Sequence, residues 1–176
     1  VHIDEFDTLG TAAARSVVSV WASVPDWVDA VVAARPYGST AALRAHAERT
    51  AARWSRAELD AALADHPRIG AKPSGDGAQA QASRREQASM ADADADVSAR
   101  IAAQNRAYEQ RFGRVFLVRA AGRSPEEMLT ELDRRLGHDE PTEVAEACGQ
   151  LAEIALLRLR ESITDDLTAD PGGTAS

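Results

Sequence analysis

An imidazole, a hydroxyl, a carboxylate, a carboxamide and a guanidinium stand out among the polar residues of this chain. His66 lies in LADHPRIGAKPSGDG, residues 63–77, where a helical pattern stops at a His-Pro step and a loop of Gly, Pro, Ser and Asp follows. An imidazole titrates near neutral pH and can give or take a proton. Pro67 stiffens the backbone directly after it, and binding groups collect on such loops. A helix end also carries histidine with no chemistry at all. Ser83, Glu86 and Gln87 belong to the run SRREQ. They offer donors and acceptors for amide-like groups. Equally, Ser83 and Glu86 have capping-box spacing and could do no more than start a helix. The readings are compatible, since a helix N-terminus presents free N–H groups.

Arg158 is marked by its place in a pattern. At about 100° per residue, Val144, Ala147, Cys148, Leu151, Ile154 and Ala155 form one stripe of the last helix, with Arg158 in its middle and Arg160 opposite. Arg160 therefore reads as surface. A guanidinium on an apolar face needs a carboxylate or a ligand anion, because burying it alone is costly. An internal ion pair, or snorkelling near the helix end, would satisfy the pattern as well as a ligand would.

These residues must be positioned by helices. Strand-like alternation is scarce. Thr8 to Ser23 reads as a first helix, with Leu9, Ala13, Val17, Val20 and Trp21 on one face. Trp27 to Val32 reads as a short second helix, stopped by RPYG. A third opens at Ser39 or Thr40. A fourth starts at the capping box Ser55/Glu58 and ends near Asp65, because the residue before proline leaves the α region. Lys72 to Ala82 reads as loop. Asp92 to Phe112 is a long helix closed by Gly113. Ser124, Pro125 and Glu127 start another that closes at Gly137. The last runs from about Pro141 to Ile163. RVFLVRAAG is the one β-like stretch. The expected architecture is all-α, a single domain over residues 1–164 of roughly seven to nine helices with one extended segment at 114–120. Residues 165–176 have the composition of a flexible tail.

Bulk properties narrow the chemistry. The chain has 176 residues, a net charge of -8 and 44% hydrophobic residues. Its pI of 5.0 and mean hydropathy of -0.33 suit a soluble acidic protein. Such a surface repels phosphate backbones, which argues against nucleic acid. An anionic ligand would need basic residues gathered locally. The single cysteine, Cys148, excludes an intrachain disulfide and a Cys-rich metal site. It reads as a buried structural thiol, and one cysteine suits a reducing cytoplasm. The four histidines, His2, His46, His66 and His138, show no ligand spacing. P-loop, GxGxxG, HExxH and GxSxG motifs are missing. The start VHIDEFDTLG lacks the features of a signal peptide, and no run approaches the roughly 18 apolar residues of a membrane span.

Four stretches in order carry a resemblance over about Leu9 to Ile163: HPRIG, Ser83–Gln87, NRAYEQRFGRVFLVRAAGRSPEEML and LAEIALLRLRESI. Together they resemble the 2-oxo-4-hydroxy-4-carboxy-5-ureidoimidazoline (OHCU) decarboxylase family, in spellings similar to its bacterial branch. The resemblance implies an all-helical enzyme of urate breakdown that converts OHCU, a small anion, to (S)-allantoin and carbon dioxide. It implies neither cofactor nor metal, and a homodimer. The family's catalytic histidine falls on His66, and Glu86 shares the catalytic centre. Substrate-binding roles fall on Pro67, Ser83, Glu86, Gln87 and Arg158. Backbone groups of Phe116, Leu117, Val118, Arg119 and Ala120 line the site. No role comes to Arg84 or Arg85. The competing expectation is a non-catalytic helical binding module in which residues 63–87 are punctuation and capping. An optically active product from OHCU separates the two, because spontaneous decay gives racemic allantoin.

Overall fold

The computed structural model of the protein describes residues 1–64, 68–69, 77–86, 88, 90 and 93–165, without the side chains of Gln79 and Glu86. Among the described residues there are nine helices: α1 (Ile3–Thr8), α2 (Thr11–Trp21), α3 (Pro25–Ala33), α4 (Thr40–Ala51), α5 (Arg56–Leu63), α6 (Ala78–Glu86), α7 (Ala95–Phe112), α8 (Pro125–Arg135) and α9 (Glu140–Ser162). The only extended pairing described is an isolated bridge between His2 and Thr164. No described helix is long and apolar enough to cross a membrane.

Capping chemistry explains most boundaries. Ser39 Oγ accepts from the Ala42 N–H at the start of α4. Ser55/Glu58 and Ser124/Glu127 form complete capping boxes, and Pro125 occupies the first turn of α8. Asp139 accepts from the Thr142 N–H and opens α9. Gly113 ends α7 at φ +68°, a left-handed conformation that costs glycine least.

α9 is the axis of the fold. It packs against α2, α4 and α5, with α3 wedged against α2 and α4. The first apolar cluster fills this half, built around Phe6, Trp21, Trp27, Leu43, Leu151 and Leu159. The pair α7 and α8 encloses a second cluster with Ile101, Tyr108, Phe116 and Leu132. The segment 115–120 runs between them in extended form. Val115 and Leu117 pack on the first cluster; Phe116, Val118 and Ala120 belong to the second. Alternate side chains of an extended chain point to opposite sides. An unbroken apolar run is what a segment buried on both sides requires, and here helices supply both walls.

Three helix expectations change. The expected first helix, Thr8 to Ser23, is α2 at Thr11–Trp21, and a separate α1 over Ile3–Thr8 precedes it, with Leu9 and Gly10 extended between them. Ile3 and Phe6, one turn apart, bury the face of α1. The long helix is described from Ala95, with Asp94 as N-cap, rather than from Asp92. Within the stretch expected as loop, residues 78–82 belong to α6. The run AQAQA has strong helix formers but no apolar stripe, so periodicity alone passed over it. Ser83 is therefore in the last turn of α6, not at its N-cap, and the capping-box reading of Ser83 and Glu86 is overturned. So is the idea that free N–H groups surround Ser83.

Candidate functional site

Arg158 and Ser83 are 75 residues apart in sequence and meet in the interior. Both are buried, at 3% and 2% exposure. Arg158 Nη2 donates to Ser83 Oγ at 3.2 Å, and Nη1 donates to the Val20 carbonyl at 3.0 Å. Val20 is in the last turn of α2, where carbonyls lack helical partners and the dipole favours a cation. Snorkelling is excluded, because the guanidinium is under cover. Arg160 is exposed, as its place on the wheel requires. α6 packs against α2 beside this point. Glu86 ends α6 three residues beyond Ser83.

α9 also holds the extended segment. Gln150 Oε1 accepts from the Arg119 N–H at 2.8 Å, and Glu153 pairs with Arg119 Nε at 3.0 Å. Eight residues of α-helix rise about 12 Å, so Gln150 and Arg158 stand about two turns apart on α9. From the other side, Arg135 Nη1 donates to the Leu117 carbonyl at 2.6 Å. Arg135 and Glu143 are both 0% exposed and form a forked ion pair. Tyr108 donates its hydroxyl to the same carboxylate, and His138 Nδ1 lies 3.0 Å from Glu143 Oε2. Burial, then the hydrogen bond to Glu143, push the Tyr108 hydroxyl well above the ordinary phenol range. It stays a donor. Arg135 also stacks over the Phe116 ring, 4.7 Å from its centroid.

The expectation for 116–120 thus finds a segment held by side chains at Leu117 and Arg119. Ser83 and Arg158 are brought together. His66, Pro67 and Gln87 lie outside the described residues, as does the side chain of Glu86. Cys148 is half-buried rather than buried, with Sγ 3.7 Å from the Ser55 carbonyl. Burial, and then the Glu58 carboxylate, raise its thiol, which leaves it an inert structural group at neutral pH. Among the described residues, no three His, Cys, Asp or Glu converge on a metal-sized site.

Sequence reasoning missed four buried polar groups, Asn105, Arg114, Arg135 and Glu143. Glu143 falls on the stripe of Ala147, Leu151, Ile154 and Arg158, and Asn105 on that of Ile101, Tyr108 and Phe112. The wheel that singled out Arg158 would have found both.

A profile of OHCU decarboxylases matches residues 7–160. A curated relative, the 2-oxo-4-hydroxy-4-carboxy-5-ureidoimidazoline decarboxylase of Haloferax volcanii, is 28% identical over 133 residues, covering 75% of this chain and 77% of its own. Among solved structures, an OHCU decarboxylase crystallised in the presence of (S)-allantoin is similar with a TM-score of 0.69 and 23% identity. The match covers 81% of this chain and 94% of that one. An (S)-allantoin synthase matches with a TM-score of 0.68 and 17% identity, over 93% of this chain and 54% of that longer one. The match over nearly the whole helical fold shows that the chain belongs to the OHCU decarboxylase family.

Proposed function

We propose that the chain removes the carboxylate of OHCU to give (S)-allantoin and carbon dioxide, with His66 as general acid/base. The observation that carries this reading is the buried meeting of Arg158 and Ser83, a cation and a hydroxyl on separate helices. The Haloferax volcanii relative bears the same decarboxylase name, and the similar decarboxylase was crystallised in the presence of (S)-allantoin, the expected product.

The reaction needs little from the protein beyond placement and one proton. The C–CO2 bond breaks and its electron pair passes into the adjoining ring C=N, so the substrate carries its own electron sink. The ring nitrogen takes up a proton. The resulting enol becomes a carbonyl as its hydroxyl proton is lost and the neighbouring carbon gains one. Arg158 holds an anionic or carbonyl oxygen through its forked donors. Glu86 and Gln87 take the N–H and C=O groups of the ureido arm, and Ser83 and Pro67 complete the pocket. Backbone groups of Phe116 to Ala120 border the ring. His66 delivers the proton to one face of the carbon, which sets the (S) configuration. The resemblance also brings a cytoplasmic homodimer into this reading, which sedimentation at micromolar concentration tests.

The direct test mixes purified protein with freshly generated OHCU and follows circular dichroism. Wild type should yield optically active allantoin, and His66→Ala should leave only racemic decay while keeping its melting temperature. Near-wild-type formation of (S)-allantoin by His66→Ala would sink the acid/base role.

A further inference from the structure

Asn105 sits on the apolar stripe of α7 and is 4% exposed. A buried carboxamide is costly unless it is bonded. Its Nδ2 donates to the backbone carbonyl of Ile69 at 3.0 Å; among the described residues its Oδ1 has no partner. One turn further along α7, Glu109 receives the Arg68 guanidinium, with Nη2 to Oε2 at 2.8 Å and Nε on Oε1. The hydrogen bond from Arg68 holds the Glu109 carboxyl below its usual range. Positions 105 and 109 share a helix face. α7 therefore grips two consecutive residues, one by its carbonyl and one by its side chain. Ile69 also packs into the second apolar cluster. A cavity of about 420 Å³ opens beside this contact, bordered by Met90, Ser98 and Ala102 as well as Arg68, Ile69 and Asn105. Ile69 is thus held by apolar packing and by the Asn105 hydrogen bond, and Arg68 by Glu109.

We propose that Asn105 is a positioning residue for His66, acting through the Ile69 carbonyl, with Glu109 as the second hold. His66 precedes Ile69 by three residues, and Pro67 restricts the backbone between them. In this reading the hold on Ile69 reaches His66 along three residues of chain. The proposal rests on the reading of His66 as the proton donor. It explains why a carboxamide occupies an otherwise apolar stripe. A leucine there would fill the volume but leave the Ile69 carbonyl without its donor.

The test measures kcat, KM and product enantiomeric excess for Asn105→Ala, Asn105→Asp and Glu109→Gln beside His66→Ala. Displacing a reacting group by about 1 Å costs on the order of 100-fold in rate. The Asn105 variants should lose about 10- to 100-fold in kcat. KM should stay within about twofold, because Arg158 and Ser83 stand on other helices. Asn105→Asp is isosteric and lacks the donor once its carboxyl is ionised. Lowering the pH protonates the new carboxyl and returns an O–H to the Ile69 carbonyl, so its kcat relative to wild type should recover. A packing role alone would not produce that recovery. Glu109→Gln should lose kcat several-fold, again at constant KM. Folded Asn105 variants with wild-type kcat, or with KM and kcat lost together, overturn the proposal. If neither Asn105 variant folds, wild-type kcat in Glu109→Gln overturns it, and a selective kcat loss there upholds it. An inactive His66→Ala beside fully active Asn105 variants sinks the positioning role alone. An active His66→Ala sinks both readings.

Discussion

Replacing Arg135 by Met should be among the most damaging single changes in this protein, although it exposes nothing and shortens the side chain little. The residue is fully buried, and its guanidinium satisfies the Glu143 carboxylate and the Leu117 carbonyl at once. Methionine fills much of the volume and supplies neither bond. Glu143 is then left charged in the core with only Tyr108 and His138 beside it. Removing one partner of a buried pair costs about 3–5 kcal/mol. The orphaned carbonyl adds to this, though the two losses share one cause and do not sum. A cost of about 4 kcal/mol is a large part of the 5–15 kcal/mol that holds a domain together. With a urea slope of about 2 kcal/mol/M, the unfolding midpoint should fall by about 2 M. The fluorescence of Trp21, Trp27 and Trp54 in the first cluster reports the transition. Arg135→Met/Glu143→Leu, which removes both charges, should recover at least half of the loss, because the desolvation of Glu143 disappears with its carboxylate. A single variant that loses less than about 1 kcal/mol, or a double variant as unstable as the two single losses added, would refute this account.

Two further outcomes follow from the geometry. Ser83→Ala takes the acceptor from Arg158 Nη2 and leaves Nη1 on the Val20 carbonyl. KM should rise about 10-fold, the worth of one hydrogen bond to a charged group, with kcat nearly unchanged. A kcat loss without a KM change would place Ser83 in the chemical step instead. In acid, Glu109, Glu140 and Glu146 are held below their ordinary value of 4.5, first of all by hydrogen bonds from Arg68, Arg114 and Arg134. Carboxyls depressed in the folded state contribute stability above the ordinary value and lose it as pH falls through the depressed one. The melting temperature should be level above about pH 5 and decline below about 4.5. A melting temperature that rises between those values and pH 3 would contradict the assignment.

The fold was legible in the sequence wherever a local signal set a boundary. Ser39, Ser55, Ser124 and Gly113 act within one turn of chain, so their side chains and backbone conformations can be anticipated without knowing the rest. α6 escaped because AQAQASRRE has helix propensity without amphipathic contrast, and only its seat against α2 commits it. The same limit bears on the site. Three helices of this protein carry four polar residues on their apolar stripes: Asn105 on α7, Arg135 on α8, and Glu143 and Arg158 on α9. A helical wheel identifies each as a buried group that needs a partner, and it is silent on which partner. Arg135 and Glu143 neutralise one another and lend the Leu117 carbonyl a donor. Asn105 binds a loop carbonyl, and Arg158 a hydroxyl and a helix end. A buried ion pair does exist one helix over, at Arg135. Both arginines are buried cations, and what separates them is the company each keeps. Arg135 faces a carboxylate that holds it for structure; Arg158 shares its end of α9 with Ser83, one turn from Glu86. Pattern finds the buried charge, and only the three-dimensional neighbourhood supplies its partners.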